Sequence, residues 1–136
     1  MAKSATTEND VLKYFFNATA FSWDAATNLY ISLHTADPTS VGDQTSFEIN
    51  YTGHNRVTVA RTSGGWTVSG NTASNTALIQ FAQCTGGSNV VTHVAIGTAA
   101  SGAGQILYSG VLNSPLTVSN LIQPQFSIGA LQIQEI

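Results

Sequence analysis

The chain has 136 residues, of which 43% are hydrophobic and 8% are charged, and its formal net charge is −3. This length is typical of one domain with a sizeable core, and a chain this apolar and this poor in charge is unlike a disordered one. No Asp, Glu, Lys or Arg occurs from Thr62 to Gln134, and the one later charge is Glu135. Half of the chain therefore lacks the formal charges on which carboxylate catalysis and phosphate clamps depend.

The composition also restricts partners and compartments. Without a basic face, nucleic acid is not an expected partner. The single Cys84 cannot form an internal disulfide, and because it follows an apolar run we expect a buried, unreactive thiol. The polar residues 6–10 interrupt the apolar stretch that a signal peptide needs, and no window reaches the roughly 20 apolar residues of a membrane span. We expect a protein made in a reducing compartment with no membrane partner.

Residues 7–17 are predicted to form a helix. Thr7 suits the N-cap position, and Glu8 and Asp10 suit the positive end of the helix dipole. An apolar stripe most often packs on the core of its own domain, so we expect this helix to cap the sheet. The alternative is an arm, within residues 1–27, that packs on a neighbouring molecule. The apolar residues concerned are Val11, Leu12, Phe15, Phe16, Phe21 and Trp23.

After residue 27 the apolar period changes to two, which is typical of half-buried strands. Turn signals recur about every ten residues, which indicates antiparallel strands and not a βαβ arrangement. We therefore predict a mainly β fold, with residues 28–136 forming an antiparallel β-sandwich of jelly-roll type with about eight strands after the one N-terminal helix. The turn signals are Gly64-Gly65 (read as a hairpin), Gly86-Gly87, Gly102-Ala103-Gly104 and Asn113-Ser114-Pro115.

Two segments depart from the strand pattern. Residues 35–54 have little periodicity, and a loop of this length is usually functional or shaped by a partner. Near the end of the chain, Phe126 and Ile128 share one parity whereas Leu131 and Ile133 have the other. A bulge at Gly129-Ala130 would restore one face. The alternative is a strand that leaves the core and pairs with another subunit.

The polar residues give little support to an enzyme. The spacings of His34, His54 and His93 match no metal-site signature, so we expect hydrogen-bonded strand histidines and no metal or other cofactor. Arg56 and Arg61 lie on opposite faces of one strand. One of them is expected to face the interior or an interface, with Glu48, Asp37 or Asp43 as its carboxylate, and the other to be an ordinary exposed charge. We expect no catalytic residues.

Five stretches of the chain resemble small tailed-phage virion proteins that are often labelled tail-fibre proteins. The likeness spans about residues 28–134 and extends to phage capsid cement (decoration) proteins, including the dimeric, jelly-roll-like one of a Bordetella phage. It implies a structural role, and it supplies no catalytic residues. The stretches are Leu-Tyr-Ile-Ser-Leu-His-Thr-Ala-Asp-Pro (29–38), Tyr-Thr-Gly-His-Asn-Arg-Val-Thr-Val-Ala-Arg (51–61), Gly-Trp-Thr-Val-Ser-Gly-Asn (65–71), His-Val-Ala-Ile-Gly-Thr (93–98) and Gly-Gln-Ile-Leu-Tyr-Ser-Gly (104–110).

From the composition and the resemblance we predict a cement protein on the phage head surface that bridges adjacent major capsid subunits and stabilises the expanded head. It would be made in the bacterial cytoplasm and form a homodimer or larger homo-oligomer. The alternatives are a tail-fibre or tail-tip component involved in host attachment, and a small hydrolase or carbohydrate-binding module. The predicted interface residues are Phe15, Phe16, Phe21, Trp23, Tyr51 and Arg56.

Overall fold

A computed structural model describes all residues, 1–136, and contains ten strands and one helix. The mainly β class with a single N-terminal helix is therefore confirmed, with ten strands where about eight were predicted. In chain order the elements are β1 (Ala2–Lys3), α1 (Ala5–Asn17), β2 (Asn28–His34), β3 (Val57–Ala60), β4 (Trp66–Ser69), β5 (Thr72–Asn75), β6 (Ile79–Gln80), β7 (Asn89–Gly97), β8 (Ile106–Val118), β9 (Gln125–Phe126) and β10 (Gln132–Gln134).

The strands form three antiparallel sheets. The largest has the order β1-β8-β7-β2-β3, the second has the order β10-β5-β4, and β6 pairs with β9. These sheets are compatible with a β-sandwich, and the jelly-roll type stays a prediction. Because β1 pairs with β8, the segment predicted as an N-terminal arm (1–27) is joined to the largest sheet at its start. Helix α1 lacks the length and hydropathy that would let it cross a membrane.

The hydrophobic core combines residues of all three sheets with residues of the loops between them. Cys84 lies in this core with no exposed surface, as the sequence predicted. Fourteen buried residues form the core cluster: Ile31, Leu33, Ile49, Tyr51, Val59, Ile79, Phe81, Cys84, Val91, Val94, Ile96, Val118, Leu131 and Ile133.

Residues 35–54 pack against the end of β2, where Ile49 N donates to Leu33 O at 3.0 Å and the last four residues of the strand are buried. Gln44 is fully buried in this segment, and its amide donates to Tyr30 O at 3.3 Å and accepts from Ala99 N at 3.0 Å. A side chain at Gly97 or Gly104 would collide with Gln44, because a Cβ there would lie within about 2 Å of its amide group. The long segment is thus shaped by its own domain.

Two turn predictions were wrong. Gly64-Gly65 does not close a hairpin, because β3 pairs with β2 whereas β4 pairs with β5, and the chain crosses between sheets at this point. The two-residue loop of the β4–β5 hairpin is Gly70-Asn71 instead. Residues 113–115 do not form a turn between strands but lie inside β8, where four residues (112–115) oppose the single Thr92 of β7. These residues therefore form an irregularity in the β7–β8 ladder.

The C-terminal parity change marks a change of sheet and not a bulge within one strand. Phe126 pairs with β6, and Ile133 pairs with β5 after a turn in which Gly129 has φ 77°. Asn75 fixes this turn, since its Nδ2 donates to Ser127 O at 2.9 Å and its Oδ1 accepts from Leu131 N at 2.9 Å. The last strand is therefore paired within its own chain, and its Leu131 and Ile133 lie in the core and do not leave it.

Candidate functional site

Helix α1 presents its apolar stripe to solvent. The helix begins after Ser4, whose Oγ accepts a hydrogen bond from Thr7 N at 3.2 Å, so the N-cap is Ser4 and the predicted cap Thr7 is wrong. Thr7 is buried instead and bonds to Ile106 O at 2.9 Å, which ties the first turn to β8. Phe15 is 70% and Phe16 81% exposed, and Leu12 is exposed beside them. The expectation that the stripe caps the core was wrong, because only the polar start of the helix is packed on the sheet.

We call Leu12, Phe15 and Phe16 the aromatic face. These side chains lie at positions i, i+3 and i+4, which place them on one side of the helix. Exposed neighbouring apolar side chains of this size are uncommon on a soluble monomer and mark interaction sites. The alternative prediction, an N-terminal segment that packs on a neighbouring molecule, fits this exposure.

A stack of four side chains, Tyr14, Phe21, Trp23 and Arg61, extends from the end of α1. The ring centroids of Tyr14 and Phe21 are 5.3 Å apart, and those of Phe21 and Trp23 are 4.8 Å apart with nearly parallel planes (3°). The Arg61 guanidinium carbon lies 4.9 Å from the Trp23 ring centroid, within the range of cation–π interactions. The four-residue stack therefore connects the helix to the residue that follows β3.

Arg61 is fixed by more than the stack. Its Nη1 donates to Ala26 O at 2.7 Å and to Asp24 O at 3.0 Å. The prediction that one of the two arginines is an ordinary exposed charge was therefore wrong. The guanidinium satisfies carbonyls of the chain between α1 and β2, and this constrains where the aromatic face can lie.

An apolar cleft opens beside this stack, between the largest sheet and the β10-β5-β4 sheet. Its volume is about 530 Å³, within the usual range for ligand pockets. Arg61 takes part in both features, because it stacks on Trp23 and lines the cleft. The other lining residues are Leu29, Thr62, Ser63, Trp66, Val68, Ala73, Ile96, Leu107, Tyr108 and Ile133.

Both tryptophans carry a buried indole N–H that has no acceptor. Neither Trp23 Nε1 nor Trp66 Nε1 has a hydrogen-bond partner. An unpaired buried donor costs about 1–3 kcal/mol, so such groups are uncommon in native proteins. Trp66 packs against the core and also lines the cleft. The indole N–H itself is buried, however, and is not open to the cleft.

Two predicted interface residues are structural instead. Tyr51 is only 1% exposed and its hydroxyl donates to Ala82 O at 2.6 Å, so it cannot form a contact surface in this conformation. Burial raises the pKa of Tyr51. Arg56 binds the Glu48 carboxylate with two hydrogen bonds, at 2.7 and 2.9 Å. Glu48 was one of the three carboxylates predicted for it, and the buried pair joins residues 35–54 to the start of β3.

The histidines are hydrogen-bonded within the fold. His34 is fully buried, its Nδ1 donates to Ser46 O at 2.7 Å, and its Nε2 lies 2.8 Å from Ser32 Oγ. Burial lowers the pKa of His34, because removing the ring from water disfavours its charged form. His93 Nδ1 bonds to Thr92 Oγ1 at 2.8 Å. Hydrogen-bonded strand histidines were predicted, and no group of three or more His, Cys, Asp or Glu residues is placed to hold a metal ion.

The predicted residues thus divide into two groups. Phe21 and Trp23 stack, and the exposed Phe15 and Phe16 extend from the same segment. Tyr51 and Arg56 lie elsewhere in the fold. The sequence reasoning missed the cleft and the double role of Arg61. A signal was present, since the aromatic residues before β2 offer a cation a surface to cover.

A comparison with protein-family models gives a match over residues 2–134, nearly the whole chain. The matching model is described as podophage GP4 fiber I protein gp80. No curated protein matches the sequence significantly. The match includes the helix, the stack and the cleft, so the candidate site lies within the region that the family shares.

Proposed function

The chain belongs to the family of the podophage GP4 fiber I protein gp80, a family of phage structural proteins of fibre type, and we propose that it works by binding a neighbouring protein of the virion through the aromatic face. We propose no catalytic activity and no cofactor for this protein, and no binding to nucleic acid or to a membrane. The family supports a location in the virion, and synthesis in the bacterial cytoplasm is part of the proposal.

The exposure of Phe15 and Phe16 is the observation that carries this proposal. These two aromatic side chains lie at the end of a helix that the core does not cover. Their exposure to water costs free energy unless a partner covers them. Burial of one such side chain contributes roughly 1.5–3 kcal/mol. Aromatic residues of this kind supply much of the binding energy of protein interfaces.

The first placement is a fibre or tail-tip component that takes part in host attachment. The description of the family supports it, since that description names a fibre protein. In this placement the aromatic face binds another fibre or tail protein, and few copies are present in each particle.

The second placement is a cement protein on the head surface that bridges adjacent major capsid subunits. The charge-free stretch from Thr62 to Gln134 favours it, because a Ser-, Thr- and Asn-rich surface costs less to remove from water than a charged one. A protein that binds only the expanded lattice stabilises that state by its binding free energy, and many copies multiply the effect. The major capsid protein is then the partner.

Quantitative mass spectrometry of purified particles separates the two placements, since hundreds of copies per particle support the head and a handful support the tail. The docking role is tested with the double variant Phe15→Ala plus Phe16→Ala. We expect this variant to fold normally and to be lost from particles. Val41→Ala is the matched control, because Val41 is also an exposed apolar residue but lies outside the helix. Normal incorporation of the double variant would contradict the role of the aromatic face.

A further inference from the structure

Hydrogen bonds attach helix α1 to the rest of the domain near its start. Thr7 Oγ1 donates to Ile106 O at 2.9 Å, and Gln105 Nε2 lies 3.0 Å from Thr7 Oγ1 and donates to Asp10 Oδ2 at 2.9 Å. The residues from Leu12 to Asn17, which include the aromatic face, are all exposed. A helix that is bonded at its start alone can swing about that point, so these bonds do not fix the direction of its second half.

The four-residue stack supplies a second point of attachment. Tyr14 belongs to the second half of the helix, and its ring lies against that of Phe21. Phe21 lies parallel to Trp23, and the Arg61 guanidinium covers the Trp23 ring. Arg61 directly follows β3, a strand of the largest sheet. A continuous line of contacts therefore runs from the exposed half of α1 to this sheet.

Arg61 is the member of the stack that connects it to the sheet. Besides covering Trp23, its Nη1 donates to Ala26 O and Asp24 O, and its backbone N donates to Thr27 O at 2.9 Å. The three acceptors lie in the segment 18–27, which joins α1 to β2. The other stack residues belong to the helix or to this segment, so loss of the Arg61 side chain would separate the stack from the sheet.

We propose that Arg61 is the positioning residue of the aromatic face. Through the stack it holds α1 in one direction, so that Phe15 and Phe16 are already oriented when they meet the neighbouring virion protein. The inference rests on the proposed function and deepens it by naming what orients the binding surface. A segment that is held in its binding orientation avoids the loss of affinity that ordering it on association would cause.

A distance measurement between two spin labels on the full chain tests the orientation of the helix. The labels are placed with Lys13→Cys in α1 and Thr117→Cys in β8, since both positions are exposed whereas the native Cys84 is buried. Double electron–electron resonance then reports the distribution of the distance between them. We expect a narrow distribution in this background and a broad one when Arg61→Ala is added. An equally narrow distribution with Arg61→Ala overturns the inference.

Three further variants give the measurement its controls. Arg61→Lys keeps the charge but lacks the planar fork that stacks on the ring and bonds several carbonyls, so we expect an intermediate width. Trp23→Leu leaves the carbonyls in place but removes the ring, and it should also broaden the distribution. Thr58→Ala is the matched control, because Thr58 is an exposed residue of β3 outside the stack. Urea unfolding checks that each variant folds, and if Arg61→Ala does not, Arg61→Lys and Trp23→Leu decide the question.

A competition for particles tests whether this orientation serves binding. Particles produced without the chain are mixed with equal amounts of wild type and one unlabelled variant, and mass spectrometry measures the ratio of the two chains taken up. We expect wild type to exceed Arg61→Ala by about tenfold, the effect of ordering one or two further groups on binding. Thr58→Ala should compete equally with wild type. Equal uptake of Arg61→Ala overturns the inference, even if its helix is mobile.

The inference and the proposed function fail in different ways. If the Phe15→Ala plus Phe16→Ala variant is lost from particles but Arg61→Ala is taken up like wild type, the aromatic face binds its partner without this positioning. The inference then fails and the proposed function stands. If the double variant is taken up normally, the proposed function fails, whatever the spin labels show of the helix.

Discussion

Removing the guanidinium of Arg56 should destabilise the domain strongly. Its side chain is only 4% exposed, and besides the two bonds to Glu48 it donates to Ala99 O at 2.9 Å and to Gly102 O at 2.7 Å. One side chain thus joins residues 35–54, the start of β3 and the loop between β7 and β8. In Arg56→Ala, the Glu48 carboxylate stays mostly buried without a counter-charge, and two carbonyls lose their donor.

Loss of one partner from a buried ion pair costs about 3–5 kcal/mol, a large part of the roughly 5–15 kcal/mol that stabilises a typical domain. Arg56→Lys should cost less than Arg56→Ala, because it keeps the charge but cannot make the forked contact with Glu48. Lys3→Ala is the comparison, since Lys3 is 18% exposed but pairs with Glu135, whose side chain is half exposed. Solvent screens such a pair more than the Arg56–Glu48 pair, so its contribution should lie nearer the roughly 0–1 kcal/mol of exposed pairs.

Urea unfolding followed by tryptophan fluorescence measures these free energies, and a shift in midpoint with an unchanged slope identifies a change in stability. We expect the order wild type, Lys3→Ala, Arg56→Lys, Arg56→Ala. If Arg56→Ala costs less than about 1 kcal/mol and equals Lys3→Ala, the buried network does not hold residues 35–54 in place and the reasoning is refuted.

Two further predictions concern buried polar residues. Burial lowers the pKa of His34 below its usual 6.5. The free energy of unfolding that depends on its neutral ring is therefore complete above about pH 6.5 and is lost as pH falls through the lowered pKa. An NMR titration of its ring protons with a midpoint at or above 6.5 would contradict this prediction. Asn75→Ala should cost about 2–4 kcal/mol in thermal unfolding, since three hydrogen bonds are lost. Asn75→Asp should cost at least as much, because it places a buried carboxylate oxygen against the Ala77 and Ser127 carbonyls. A loss below about 1 kcal/mol for Asn75→Ala would show that the turn does not depend on Asn75.

Local patterns in the sequence were sufficient to predict the class of the fold and several of its details. Strand alternation follows from the pleat, so the half-buried strands around Ile31, Val59 and Val94 could be predicted without knowing their partners. The buried thiol of Cys84 was predicted on similar grounds, as was the pairing of one of the two arginines with a carboxylate, which the structure assigns to Arg56. A buried cation needs an anionic partner whatever the fold, and the sequence contains few carboxylates.

The sheet to which each strand belongs could not be predicted in this way. Gly64-Gly65 has the composition of a hairpin turn, but the same two glycines allow the chain to cross between sheets. The parity change after Ile128 indicates only that the chain reverses its faces, and either a bulge or a new sheet achieves that. The choice depends on Asn75 and on the strands available to pair, which are distant in sequence.

The sequence by itself determined the mainly β class, the helical N-terminal segment and a surface nearly free of charge over half of the chain, because these depend on residue type and local period. Only the tertiary structure decided that the aromatic stripe of α1 faces solvent. It also decided that Arg61 both stacks on Trp23 and lines a cleft. An amphipathic helix has the same periodicity whether it covers its own core or another molecule. Which of these occurs depends on how much core surface the strands leave uncovered, and that is a property of the assembled sheets.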